Sequence, residues 1–286
     1  QRPARFGHTR HGSGQYRSAD PVAGRSAGRR LHRVARGRTN TQKRDALKVL
    51  LTGATSQLGR AVAEPLRRQR HRLRLTDRRR LRTSHQFSQS QLGHGRQTDE
   101  LVEGVKAIVY IPGPADPTAA DAAAWIDACT RCTYNLLVAA VRAGVEHVVY
   151  VGSLDSFLGY DTDFLVSSSW RPRPTTEPAV MAPHLGESVA REFAQTSQIR
   201  LTILRLGHLV DADGIGLQDE LDPMAIDPRD AAAGIVAALK EPDGYRLFHL
   251  QGDFAGARFP VVGGHRRLDV ELRHDFGRAR QSETQV

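Results

Sequence analysis

The stretch VLLTGATSQLG, residues 49–59, carries an apolar run through a turn with two glycines into helix-forming text. Gly53 is placed to take a positive φ in a tight turn, and Gly59 to let the following helix lie close against the strand. A helix that begins here points its first N–H groups out of the turn, an arrangement suited to the pyrophosphate of a dinucleotide. Thr55, Ser56, Gln57 and Leu58 fill the turn and the first helical positions between the glycines. Asp77 ends the next apolar run and is spaced to accept hydrogen bonds from the adenine ribose hydroxyls. Ile111, Pro112 and Gly113 close the run KAIVYI and are expected to border the same site. The plainer alternative is an ordinary strand-to-helix loop capped by glycines.

Other residue types give weaker signals. Nine arginines lie between Arg67 and Arg82. Either they form a solvated helix end and loop, or Arg78 or Arg79 meets the 2′-phosphate of NADP, since guanidinium groups bind phosphate in a bidentate way. Asp77 would repel that phosphate, so NAD is the expected cofactor and NADP the alternative. Cys129 and Cys132 form a Cys-x-x-Cys inside an amphipathic helix with no second ligand pair, which favours helix packing over redox or zinc chemistry. The histidines show no metal-ligand spacing, and no metal is expected. Trp170, Arg171 and Arg173, in the loop SSSWRPRPTTEP, either stack on and neutralise an anionic ligand or belong to a Pro-rich surface loop.

The elements that must hold these residues follow from the pattern of apolar runs. Short aliphatic runs at 47–51, 72–76, 106–111, 147–151, 200–205 and 245–250 alternate with amphipathic stretches at 58–69, 119–143, 183–195 and 229–240. That alternation predicts an α/β fold with a doubly wound parallel sheet of five or six strands. A further strand is due between residues 81 and 95, where the text is polar. Residues 222–229 are placed to form another wall of the cleft.

Charge divides the chain. Of 41 basic and 31 acidic residues, 13 basic and two acidic ones lie in residues 1–48, so the remainder, with 28 basic and 29 acidic, is close to neutral. Residues 1–45 lack hydrophobic periodicity and are expected to form a disordered basic leader. Residues 46–255 are expected to form the nucleotide-binding domain with its substrate-binding insertions, and 256–286 a C-terminal tail. The leader's arginines could neutralise nucleic-acid phosphates, but it lacks the aromatic interleaving that single-strand binders use, so nucleic acid ranks last among partners. No apolar run reaches the roughly 18 residues of a membrane span. With two cysteines three apart and no disulfide framework, a reducing, cytoplasmic setting is expected.

Taken together, residues 47–255 resemble the extended short-chain dehydrogenases/reductases of the NAD-dependent epimerase/dehydratase family. Thr52, Gly53 and Gly59 match its Thr-Gly-x-x-Gly-x-x-Gly fingerprint, with Ser56 at the middle glycine. TYNLLVAAVRAGVEHVVYVGS (133–153), LTILRLGHL (201–209) and IDPRDAAAGIVAAL (226–239) match further segments in order. The resemblance implies a Rossmann fold with a small C-terminal substrate-binding portion. It also implies hydride transfer between NAD(P) and a sugar or nucleotide-sugar substrate, and a homodimer paired through the helices at 119–143 and 183–195.

The departures fall on the chemistry. His184 and Ser188 stand where the family has its Tyr-x-x-x-Lys pair. Leu154 stands at the family's active-site serine, flanked by Ser153 and Ser156, and Cys129 stands at its usual asparagine. Ser153, His184 and Ser188 are therefore the candidate catalytic residues. His184 is read either as a proton shuttle, with Glu187 or Tyr160 nearby, or as a structural histidine on a helix bordering the cleft. A catalytically impaired dinucleotide-binding sensor or regulator of the same fold is the alternative function.

Overall fold

A computed structural model describes residues 46–162, 164, 166–197, 199–215, 220–241, 244–259, 268–274 and 276. The basic leader lies outside the described residues.

Seven parallel strands form one sheet in the order β3-β2-β1-β4-β5-β6-β9. They are β1 (Lys48–Leu51), β2 (Arg72–Asp77), β3 (Gln86–Gln89), β4 (Ala107–Tyr110), β5 (His147–Ser153), β6 (Arg200–Leu206) and β9 (Tyr245–Leu250). The central strands are mostly apolar because helices cover both faces. All four residues of β4 are buried, as are the first five of β5. The strand expected between residues 81 and 95 is β3. Its burial pattern is mostly exposed, as an edge strand allows, and this accounts for its polar text.

On one face lie α1 (Gln57–Arg68) and α6 (Pro228–Ala238), packed over Val49, Leu51, Val149 and Leu204. Ser56 caps α1, its Oγ accepting from the Gly59 N–H at 2.9 Å, and Leu58, Val62 and Leu66 bury one stripe at helical spacing. The other face carries α2 (Arg96–Val102), α4 (Cys132–Arg142) and α5 (Pro178–Thr196), over Leu50, Ile108, Val148 and Ile203.

The helix expected at 119–143 begins instead at α3 (Ala122–Ile126), where the Asp121 carboxylate caps the Ala124 N–H, and passes through one π turn, Asp127–Arg131, into α4. Likewise α5 starts five residues earlier than expected, with Pro178 as its first residue and Pro183 inside it. Pro at the first position costs no hydrogen bond, which is why the helix can begin there.

Two short strands, β7 (His208–Leu209) and β8 (Ala225–Ile226), make a separate parallel pair beyond β6 that the sequence pattern did not reveal. Tail residues Phe259, Leu268 and Phe276 are buried. Asp230 holds the tail at the start of α6, its carboxylate accepting from the Arg273 N–H at 3.0 Å, the His274 N–H at 2.9 Å and His274 Nδ1 at 2.9 Å.

Candidate functional site

Strand order reverses between β1 and β4, and the crevice outside the carboxyl ends of such a pair is where doubly wound sheets bind ligands. A solvent-open cleft with a volume of about 180 Å³ lies there. Its walls come from the turn after β1 (Thr52, Gly53, Thr55, Ser56), the end of β2 (Asp77, Arg78, Arg79) and the segment after β4 (Ile111, Pro112, Gly113). The two walls are pinned together by Thr52 Oγ1, which accepts from the Ile111 N–H at 2.9 Å.

The glycines have the roles their positions imply. Gly53 has φ +62°, and a Cβ there would stand 3.0 Å from Ile111 Cβ. A Cβ on Gly59 would stand 2.1 Å from the Gly53 carbonyl oxygen, so only glycine lets α1 lie this close to the turn. Ser56, at the family's middle glycine, turns its hydroxyl inward and donates to the Gly53 carbonyl at 2.7 Å. Leu58 packs into the core and Gln57 is exposed, so neither side chain lines the cleft; with Gly59 they form the first turn of α1.

Asp77 braces this turn. Its Oδ2 accepts from the Thr55 N–H at 2.8 Å and from Thr55 Oγ1 at 2.9 Å, and Oδ1 accepts from the Arg79 N–H at 3.0 Å. Arg79 Nε donates to Thr55 Oγ1 at 3.1 Å. Arg78, expected as one of two phosphate ligands, is turned to the cleft floor instead. It lies 3.6 Å from Asp127 and donates to Gln91 Oε1 at 3.1 Å and to Cys132 Sγ at 2.9 Å. Its charge is thereby satisfied inside the protein. Cys129 and Cys132 are both buried, Cys132 within the core beneath the cleft, in keeping with helix packing. Burial pushes both thiols up, Cys129 to about 12. No group of His, Cys, Asp or Glu among the described residues could hold a metal ion.

None of the three candidate catalytic residues lines this cleft. Ser153 ends β5, donating to Asp155 Oδ2 at 2.8 Å and accepting from the Asp155 N–H at 3.0 Å. Ser188 Oγ donates to the His184 carbonyl one turn back, at 3.1 Å, and also accepts from Arg191 at 3.4 Å. His184 Nδ1 is buried without a hydrogen-bond partner. Burial lowers the His184 pKa, opposed by Glu187 and reinforced by Arg205, Arg191 and Arg171, so the ring is a neutral imidazole near pH 7.

Glu187 is committed elsewhere: in a fully buried pair it accepts from Arg205 Nε at 2.8 Å and from Arg205 Nη2. The Arg205 guanidinium also stacks 4.9 Å from the Phe157 ring centroid and lies 3.3 Å from His249 Nε2.

A second cluster was not singled out by motif or spacing. His208, on β7, is held between two carboxylates, with Nε2 2.7 Å from Asp155 Oδ1 and Nδ1 2.6 Å from Asp222 Oδ2. Hydrogen bonding to Asp155 raises its pKa to about 9 against the opposing effect of burial, and Asp222 adds to the rise. Burial pushes Asp155 up, but the bonds from His208 and Ser153 outweigh it and leave its pKa below the usual value. The three residues are 53 and 14 positions apart, so only the fold brings them together.

In the loop SSSWRPRPTTEP, Trp170 packs against Tyr160 and Phe164, with centroids 5.1 and 5.8 Å apart, and Arg173 lies 4.3 Å over the Tyr160 ring. Both side chains make contacts within the protein, while Arg173 remains exposed.

Residues 49–215 match the family described as NAD dependent epimerase/dehydratase. No curated protein matches the chain. Among solved structures, uronate dehydrogenase from Agrobacterium tumefaciens is 19% identical over 84% of this chain and 90% of its own, with a TM-score of 0.71. A short-chain dehydrogenase/reductase superfamily protein from the same organism, with bound NAD, is 20% identical over 82% and 95%, with a TM-score of 0.70. UDP-N-acetylglucosamine 4-epimerase from Bacillus cereus is 15% identical over 83% and 98%, with a TM-score of 0.67. At these identities the structural likeness shows the fold.

Proposed function

The chain belongs to the NAD-dependent epimerase/dehydratase family, and from that premise we propose that it binds NAD and acts on a sugar or nucleotide sugar as an oxidoreductase or epimerase/dehydratase. The observation that carries the reading is the cleft at the β1–β4 crossover, with Gly53 and Gly59 where no side chain fits and Asp77 at the end of β2. The turn from Gly53 to Gly59 takes the pyrophosphate, with Thr55, Ser56, Gln57 and Leu58 supplying its backbone and the start of α1. Asp77 faces the adenine ribose. Arg78 forms the floor beside it, and Ile111, Pro112 and Gly113 form the far wall.

The preference for NAD over NADP rests on the Asp77 carboxylate, which repels a 2′-phosphate, and on Arg78, whose charge is already met by Asp127. Bound NAD supplies a hydride acceptor at nicotinamide C4.

The protein's own part is to orient the substrate and to move a proton. His184, a neutral imidazole in the position of the family's tyrosine, orients the substrate hydroxyl by hydrogen bonding, and Ser153, at the end of β5, is the hydroxyl placed to take its proton. Ser188 is given no proton to move, because its hydroxyl is bonded to its own helix. We assign the segment after β5, the β7–β8 pair and residues 222–229 to the substrate side.

The apolar side chains left exposed on α3–α4 and α5, Ile126, Tyr134, Val141 and Leu185, support pairing with a second copy. Sedimentation at micromolar concentration tests that directly. No helix among the described residues is long and apolar enough to cross a membrane.

Turnover is tested by screening uronic acids, hexoses and their UDP esters with NAD⁺, following absorbance of the reduced cofactor, on the wild type and on His184→Ala. Formation of reduced cofactor that falls at least about 100-fold in the variant supports catalysis through His184. Cofactor binding with no turnover across the panel, or at an epimerase's product analysis, favours the sensor reading. The missing lysine and the inward-turned Ser188 give that second reading its support.

A further inference from the structure

The family's tyrosine and lysine form one acid–base unit, and neither is present here. Outside the nucleotide cleft, one continuous hydrogen-bonded chain of ionisable groups runs from the end of β5 to the surface. Ser153 Oγ donates to Asp155 Oδ2 at 2.8 Å, Asp155 Oδ1 meets His208 Nε2 at 2.7 Å, and His208 Nδ1 meets Asp222 Oδ2 at 2.6 Å. Backbone contacts fix both ends: the Asp155 N–H donates to Ser153 Oγ at 3.0 Å, and the Met224 N–H donates to Asp222 Oδ1 at 2.8 Å. The chain starts on a half-buried serine and ends on His208 and Asp222, whose side chains are 42% and 35% exposed, so it connects the interior to solvent.

We propose that Ser153, Asp155, His208 and Asp222 form a proton relay that takes over the acid–base role of the absent Tyr-x-x-x-Lys pair. The proposal rests on the reading that Ser153 faces the reacting end of the bound cofactor. With NAD bound as hydride acceptor, oxidation of a substrate alcohol would break its O–H bond as the C=O bond forms. The hydroxyl proton passes to Ser153 Oγ while the serine's own proton moves to Asp155.

The proton rests only briefly on Asp155, whose carboxyl, against the upward push of burial, the neighbouring His208 cation holds below its usual range. With His208 protonated the three ionisable groups carry a net −1, and accepting one proton brings them to zero. Asp155 from the turn after β5 and Asp222 from the segment before β8 are the charged groups that act on the ring. Arg258, whose N–H is bonded to the Pro223 carbonyl, sends its guanidinium away to the Tyr160 carbonyl at 2.7 Å. The elevated basicity of His208 agrees with this arrangement, since both carboxylates stabilise the cation.

The test uses the full chain with ¹⁵N-labelled histidine, titrated by NMR in saturating NAD⁺ and in saturating NADH. The nicotinamide ring is positive in the first and neutral in the second. A relay that adjoins the ring shows a His208 midpoint lower with NAD⁺ than with NADH by roughly a few tenths of a pH unit, since the added positive charge disfavours the imidazolium. Equal midpoints with both cofactors bound overturn the relay and leave the cofactor site standing. If neither cofactor binds, the reading of the cleft fails and the relay fails with it.

On any substrate turned over, His208→Gly lowers kcat by about 100-fold, and added imidazole restores a measurable part. A merely structural histidine gives no imidazole rescue, and an unchanged kcat in the variant refutes the proposal.

Discussion

Replacing Glu187 with Gln tests how α5 is held over the sheet. Both partners of the Glu187–Arg205 pair are about 1% exposed, and two guanidinium N–H groups reach the two carboxylate oxygens. Removing one partner of such a buried pair costs about 3–5 kcal/mol, because it leaves the other charge without solvent or counter-ion. Glutamine still accepts one bond, worth about 1.5 kcal/mol, so Glu187→Gln is expected to cost about 2–3 kcal/mol and Glu187→Ala the full amount. His249 cannot supply the missing charge: it is an uncharged acceptor, its pKa held near 3 by burial and then by Arg205. The assay is equilibrium urea unfolding, where the loss moves the midpoint by about 1 M for an m-value of about 3 kcal/mol/M. The double variant Glu187→Leu with Arg205→Met removes both charges and should recover most of the loss. A cost below about 1 kcal/mol for Glu187→Ala, or a double variant as unstable as the sum of the singles, refutes the reasoning.

Gly59→Ala forces α1 away from the Gly53 carbonyl. It should lower stability by about 1–3 kcal/mol in thermal melts and weaken reduced-cofactor binding at least tenfold. Ser188→Ala removes only a bond back to the His184 carbonyl, so calorimetry should find stability within about 0.5 kcal/mol of the wild type. On the alkaline side, the folded protein holds its proton on His208 up to about pH 9 while the unfolded chain releases it near 6.5, so this contribution is full below 6.5 and lost as pH rises through 9. With the ring partly exposed it amounts to about 1 kcal/mol after screening, and His208→Gln should flatten the stability profile in that window. On the acid side, burial holds His147 near 4 and His249 near 3, so stability present above 6.5 is lost as pH falls through those values, which urea midpoints at stepped pH will show.

Much of the scaffold was legible because local pattern and tertiary role coincide in a parallel sheet. Strands buried on both faces read as aliphatic runs, and the turn at Gly53 and Gly59 announces itself because no other residue fits. Where the two diverge, the sequence was silent or misleading. β3 is an edge strand whose polar residues hide it, and β7 and β8 are two residues each, too short for any period. Arg78 carries the residue type of a phosphate ligand, yet its partners are Asp127 and Cys132, 49 and 54 positions away, which no local window contains. The same holds for His208: LGHL reads as the end of a strand, and only folding sets its ring between Asp155 and Asp222. Ser153, His184 and Ser188 were found through resemblance. Their separate hydrogen-bond commitments, which give Ser153 and Ser188 different parts, came from the structure.

The central claim is that the crevice between β1 and β4 binds NAD, and Trp125 allows a direct measurement because it lines that cleft. In a Trp170→Phe background, Trp125 is the remaining tryptophan. Excitation of its indole during an NADH titration reports energy transfer to cofactor held in the cleft. The account predicts saturable transfer that NAD⁺ displaces, that NADPH reproduces only weakly, and that Gly53→Val abolishes while leaving the fold intact by circular dichroism. A folded wild-type chain that shows no transfer, or transfer undiminished in Gly53→Val, contradicts it.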